Sequence, residues 1–190
     1  MTEMIHYDLY KILKEELKNG SSDLVTRHSG QVIRERIERD IVMEKDEEVI
    51  ALDFSHIGII DYSCADEIIA KLISRLIANE YGNRFIILKG LNETQKENIE
   101  VALERKELSA IAIMRDGTEL VVGSLNNYLK ETFEIIKAKG KITARELSKK
   151  LKLELNTAAT RLLNLYKKRL IRRTDEQTPD GKVLVYRRII

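Results

Sequence analysis

The sequence predicts an α/β sandwich joined to a second, smaller domain of helices and a basic hairpin. Three observations predict it. Residues 49–88 hold an apolar run, an amphipathic stretch and a second apolar run, the order of a strand–helix–strand crossover. The last third of the chain holds two helical patterns and then Pro179, Asp180 and Gly181, which supply turn chemistry between strand-like runs. The charge is also divided. From Leu125 onward 17 basic and 7 acidic residues give a formal +10, while 16 basic and 24 acidic residues before it give −8. A chain of 190 residues is long enough to bury two small cores.

Taken in order, Ile5, Leu9, Ile12, Leu13 and Leu17 recur at helical spacing, predicting an amphipathic helix over 6–19 that Gly20 and the Ser21-Ser22 pair end. This helix is expected to form an N-terminal segment, 1–22, before a domain over 23–124. Its apolar face has two expected partners, its own domain or a second subunit, and the second makes it the candidate interface of a homodimer. Val32, Ile33, Ile37 and Ile41 predict a second helix, with Arg34, Glu35, Arg36, Glu38 and Arg39 as a solvated face.

The runs 49–54 and 57–60 read as a buried strand that reaches Asp61 and Tyr62. A helix is expected to open at Ser63, with Asp66 three residues on as its capping partner, and to carry Ile68, Ile69, Leu72, Ile73, Leu76 and Ile77 inward. Strands follow over 85–88, 110–114 and 119–122. A helix over 92–105 separates the first two, and Asp116-Gly117 makes a tight turn between the last two.

The run VIALDFSHIGIIDYSCADEIIAKL, residues 49–72, resembles the STAS family, in particular STAS-like variants with a Leu-Asp-Phe strand followed by an Ala-Asp-Glu helix start. The resemblance spans roughly residues 23–123. It implies a regulatory domain. In the anti-sigma-factor antagonists of that family a serine directly after an aspartate at this turn is phosphorylated, and the partner is an ATP-binding anti-sigma kinase. Here Tyr62 follows Asp61, and Ser63 comes one residue later. Ser63 is thus read either as a helix cap, which its hydroxyl suits on physical grounds, or as a regulatory phosphoacceptor.

After a helix over 125–139, Thr143 and Glu146 stand three apart as a capping box requires, with Leu147 and Leu151 behind them. Asn156 is the expected cap of the next helix. Ala158, Ala159, Leu162, Leu163, Leu165 and Tyr166 form its apolar stripe, leaving Thr157, Thr160, Arg161, Asn164, Lys167 and Lys168 outside. Leu170 and Ile171 lead into a two-stranded hairpin whose second strand covers 183–186. These residues resemble a winged helix-turn-helix domain over 125–190, with Arg169 where such families often have Gly. The full expectation is therefore a STAS-like α/β sandwich with a second, smaller winged helix-turn-helix domain. By resemblance the function is DNA binding in transcription regulation, the second helix entering the major groove. Thr160, Arg161 and Asn164 are the candidates for base edges, Lys168, Arg172, Arg173 and Lys182 for phosphates, and Thr157 is a further candidate for contact with DNA. The alternative is that the winged domain docks on protein.

Asp53, Asp61, Asp66 and Glu67 are candidates for a metal or acid–base cluster, against the plainer reading that helix N-termini favour acids. Cys64 is read as an inert core thiol, and His6, His28 and His56 lack ligand-like spacing. There is no glycine-rich phosphate loop, nucleophile elbow or paired-histidine motif, so no enzyme activity, metal or cofactor is expected. The sequence has no apolar run of membrane-spanning length and no basic-then-apolar leader, and the expectation is a cytoplasmic protein whose partners are duplex DNA and, by the STAS resemblance, an anti-sigma-type kinase.

Overall fold

The computed structural model describes residues 4–18, 20–44, 48–179 and 181–190. The chain is α/β and divides into two compact units, Met1–Ser124 and Leu125–Ile190.

In the first unit, strands β1 (Met4–Asp8), β2 (Val49–Asp53), β3 (Phe85–Leu91), β4 (Ser109–Met114) and β5 (Glu119–Gly123) form one sheet in the order β1-β2-β3-β4-β5. The first four are parallel, and β5 returns antiparallel to β4. Crossovers that all step the same way with the usual right hand put the helices on one face. A single apolar cluster agrees with that: Ile50, Leu52, Ile86, Leu88, Ala110, Ala112 and Val122 of alternate strand positions join residues from every helix of the unit.

The N-terminal helix expected over 6–19 is shorter than its periodicity suggests. Met4–Asp8 pairs in register with Val49–Asp53 as the edge strand, and only Leu9–Leu17 is helical (α1). Ile5, Tyr7 and Leu9 fit a period of two as well as a helix, and β2 needs a partner for its backbone groups. Asp8 then starts the helix, its carboxylate accepting from the N–H groups of Tyr10 and Lys11. Lys18, in the left-handed region at φ 50°, ends it before Gly20 is reached. Leu9, Ile12 and Leu13 are buried in the unit's own cluster, so the face proposed for a second subunit is already occupied.

Helix α2 (Arg27–Met43) starts at Thr26, whose hydroxyl accepts from Ser29 N–H. Its charged face is not uniformly solvated, because Arg34 is 6% exposed. Beyond β2 the strand expected over 57–60 is a loop with one parallel bridge, Leu24 to Ile60. The next helix opens as α3 (Tyr62–Ala65), continues through a π-helical turn (Asp66–Ala70) and ends as α4 (Lys71–Ile77). Its cap is Asp61 rather than Ser63. Helix α5 (Glu93–Glu104) has a capping box made by Asn92 and Gln95.

The second unit begins with α6 (Asn127–Lys139), capped by Asn126. A short strand β6 (Lys141–Thr143) follows, which the sequence does not signal, then α7 (Ala144–Leu151), α8 (Leu155–Lys167) and the hairpin β7 (Arg172–Thr178) and β8 (Gly181–Arg187). The sheet order is β6-β8-β7. Thr143 and Glu146 make the expected capping box on α7. Asn156 does not cap α8. The turn is closed by Lys152 at φ 53° and by Leu153 N–H donating to Ser148 O, and the helix is already running at Leu155. Leu129, Phe133, Ile136, Ile142, Leu147, Ala158, Leu162, Leu165, Leu170, Ile171, Val185 and Tyr186 are buried in this unit.

Candidate nucleic-acid interface

Helix α8 buries Ala158, Leu162 and Leu165, and residues 157, 160, 161 and 164 lie together along one flank of that face at helical spacing. Helix α6 packs beside it. Between them lies an open cavity of about 400 Å³ lined by Tyr128, Asn156, Thr157, Thr160, Arg161 and Asn164. Four of the predicted residues are thus brought to one place.

Their side chains are not equally free. Thr157 and Thr160 are exposed, and the Thr160 hydroxyl donates back to Asn156 O at 2.8 Å. Asn164 is half-buried. Arg161 Nη1 donates to Glu131 Oε2 at 3.1 Å, and its guanidinium carbon lies 5.2 Å from the centre of the Tyr128 ring. Its side chain is only 16% exposed. Tyr128 and Glu131, three apart on α6, were not among the expected site residues. The available signal is that both fall off the apolar stripe of Leu129, Phe133 and Ile136, so that an aromatic sits on the polar side of its helix.

The expected phosphate-binding residues lie outside that cavity's lining. Lys168 is the C-terminal cap of α8 and Arg172 opens β7, both half-buried. Arg173 is exposed and its guanidinium stacks 4.4 Å from the Tyr166 ring centre. Lys182 Nζ reaches Asp175 at 2.5 Å across the hairpin, with its side chain 66% exposed. Arg187 pairs with Glu176. In the first turn of α7, the Glu146 carboxyl is held under the usual range, chiefly by the Thr143 backbone N–H that it accepts from.

In the first unit Ser63 is half-buried and its hydroxyl donates to Asp61 Oδ1 at 2.9 Å. Asp61 also accepts from Cys64 N–H at 2.7 Å and Thr26 N–H at 3.3 Å. Burial opposes its charge, but these hydrogen bonds prevail and keep the carboxyl below its ordinary value. The Cys64 thiol donates to Thr26 O at 2.8 Å; burial, helped by the Asp61 charge, pushes it up to about 12. A thiol so placed stays protonated at neutral pH.

The four carboxylates proposed as a cluster do not converge. Asp53 accepts from Ser55 N–H, Asp61 caps α3, and Asp66 and Glu67 turn toward cations. Arg27 and Lys106 hold Asp66, while Arg34, Lys71 and Arg27 hold Glu67. Among the described residues no group of three or more His, Cys, Asp or Glu is gathered for a metal, and no helix is long and apolar enough to cross a membrane. No family model matches the chain, and no curated protein matches its sequence.

Proposed function

We propose that this chain is a DNA-binding transcriptional regulator, in which residues 125–190 act as a winged helix-turn-helix and residues 1–124 as a STAS-like domain that senses a partner or ligand. Helix α8 is the recognition helix and β7–β8 the wing. The observation that carries this reading is the set of hydroxyl, amide and guanidinium groups that α8 gathers around one open cavity, in a unit with a formal charge of +10. Donors and acceptors of that kind suit base edges, and the surrounding cations gain affinity by releasing counterions from phosphates. The acidic unit is repelled by DNA, which fits it for regulation or assembly. The regulator works in the cytoplasm as a homodimer, since a single winged helix covers only a short half-site. An anti-sigma-type kinase as partner rests on the STAS resemblance alone, and Ser63, donating to Asp61, is better suited to the helix turn than to phosphate.

A second reading is a STAS-type partner-switching protein whose winged domain docks on protein. It is favoured by Leu184, 44% exposed on β8, and by the pairing of Lys182 with Asp175.

Fluorescence-anisotropy titration of the full chain with labelled duplex DNA at low salt separates the two. Binding is expected. Arg161→Ala should cost about 1 to 3 kcal/mol on a preferred sequence, as loss of a base contact does. Arg173→Ala should weaken all duplexes alike and flatten the slope of log affinity against log salt by about 0.9. If neither substitution alters affinity or slope while both variants stay folded, DNA binding by this face is wrong and the second reading replaces it.

A further inference from the structure

The geometry points to Glu131 and Tyr128 of α6 as positioning residues that set the sequence discrimination of Arg161, an inference that rests on the DNA-binding reading above. Arg161 is the cation that lines the α6–α8 cavity. One side of its guanidinium is engaged by Glu131 at 3.1 Å, and it lies 5.2 Å from the Tyr128 ring centre. The arginine is 16% exposed and the glutamate 54% exposed, so the carboxylate stands at the water-facing end of the pair.

An untethered arginine samples many rotamers and takes any phosphate within reach. A guanidinium held by a carboxylate and stacked on a ring has few orientations left, and its remaining N–H groups suit a planar acceptor pair. The O6 and N7 atoms of guanine in the major groove are such a pair. Glu131 adds a second effect. A phosphate approaching Arg161 meets a negative charge that a guanine edge does not carry, so non-specific contacts are penalised more than the specific one. Both effects lower affinity for random DNA relative to a site with guanine opposite Arg161. Tyr128, 46% exposed, supplies the stacking half of the device.

The test uses the full chain and two labelled duplexes, one selected from a random library by the wild-type protein and one of mixed sequence. Glu131→Gln should tighten binding to the mixed duplex and narrow the preference for the selected one by about tenfold, the scale of one base contact. Its salt slope on the mixed duplex should steepen by about 0.9, because the released Arg161 takes a phosphate. Adding Arg161→Ala to that variant should remove the extra slope. Tyr128→Leu should narrow the preference by about threefold, the scale of an exposed cation–π contact. Glu131→Asp should keep part of the wild-type preference. If Glu131→Gln keeps the wild-type preference and slope while Arg161→Ala narrows the preference, the positioning role is overturned and DNA binding stands. A lowered thermal midpoint with an unchanged slope also overturns it. Wild-type protein without affinity for either duplex overturns both.

Discussion

Arg34 and Glu67 meet at 3.2 Å between α2 and the π-helical turn, with side chains 7% and 3% exposed. Glu67 also accepts from Lys71 at 2.6 Å and Arg27 at 3.0 Å, and Arg34 from its other side reaches Glu38 at 2.5 Å. Arg27 and Lys71 are exposed enough to turn to water if the carboxylate is lost, but Arg34 is not. Glu67→Ala should therefore cost about 1 to 3 kcal/mol, because the Nε and Nη2 donors of Arg34 lose their acceptor while Glu38 still balances its charge. Urea unfolding checks this, with a lower midpoint and an unchanged m-value as the expected result.

The same network sets the acid limit. Burial works against the charges on Asp66 and Glu67, yet Lys106 and Arg27 for the first, and Lys71 and Arg34 for the second, hold both carboxyls below their ordinary values. Groups depressed on folding give stability that is complete above the unfolded carboxylate values of about 4 and is lost as pH falls through the lower folded values. Unfolding free energy measured from neutral pH downward should stay level to about pH 5 and then fall. Glu67→Ala should show a shallower fall.

Gly30 lets α2 approach this turn. A Cβ there would stand 3.0 Å from Glu67 Cβ and 3.3 Å from Cys64 Cα. Gly30→Ala should cost about 1 to 3 kcal/mol by overpacking, despite the better helix propensity of alanine. A rise in thermal midpoint would show that the two helices yield at that point.

Asp61, rather than Ser63, satisfies the first turn of α3. Asp61→Ala removes the acceptor for two backbone N–H groups and the Ser63 hydroxyl, and should cost about 2 kcal/mol, the upper end for a lost cap. Ser63→Ala should cost less. The comparison is a pair of denaturation curves, and a larger loss at Ser63 would reverse the assignment.

Arg169 sits at φ 58°, the left-handed position that ends α8 and leads to Leu170 and Ile171. Glycine holds this conformation without the contact between Cβ and carbonyl that costs other residues about 1 to 2 kcal/mol. Arg169→Gly should therefore unfold at higher temperature than Arg169→Ala, by about 1 kcal/mol of stability after allowing for glycine's greater freedom when unfolded. Both variants lack the arginine side chain, which isolates the backbone term.

What could be read from the sequence was what local chemistry decides. The α/β class follows from the runs around Ile50 and Ile86, and the Thr143–Glu146 box lies within four residues. Asp61 and Ser63 are both competent caps two positions apart, and only the backbone of the turn chooses between them. Strand β1 was hidden because Ile5, Tyr7 and Leu9 suit two periods, and its choice depends on the free edge of β2 more than forty residues away in the chain. The π-helical turn has no sequence period of its own. At the α8 face the spacing of Thr157, Thr160, Arg161 and Asn164 was visible. Their neighbour Tyr128 and the tether Glu131 were not, because that meeting is a product of helix packing across thirty residues.

The strand order of the first unit has a consequence for synthesis. Each strand pairs with the one made immediately before it, from β1 at one edge to β5 at the other. Domains fold as the chain emerges, and pairing between distant segments is the slow part of sheet formation. Here the partner of every new strand has already left the ribosome. This strand order allows the sheet to be laid down in the order of translation, with no gap to be held open for a strand still to come.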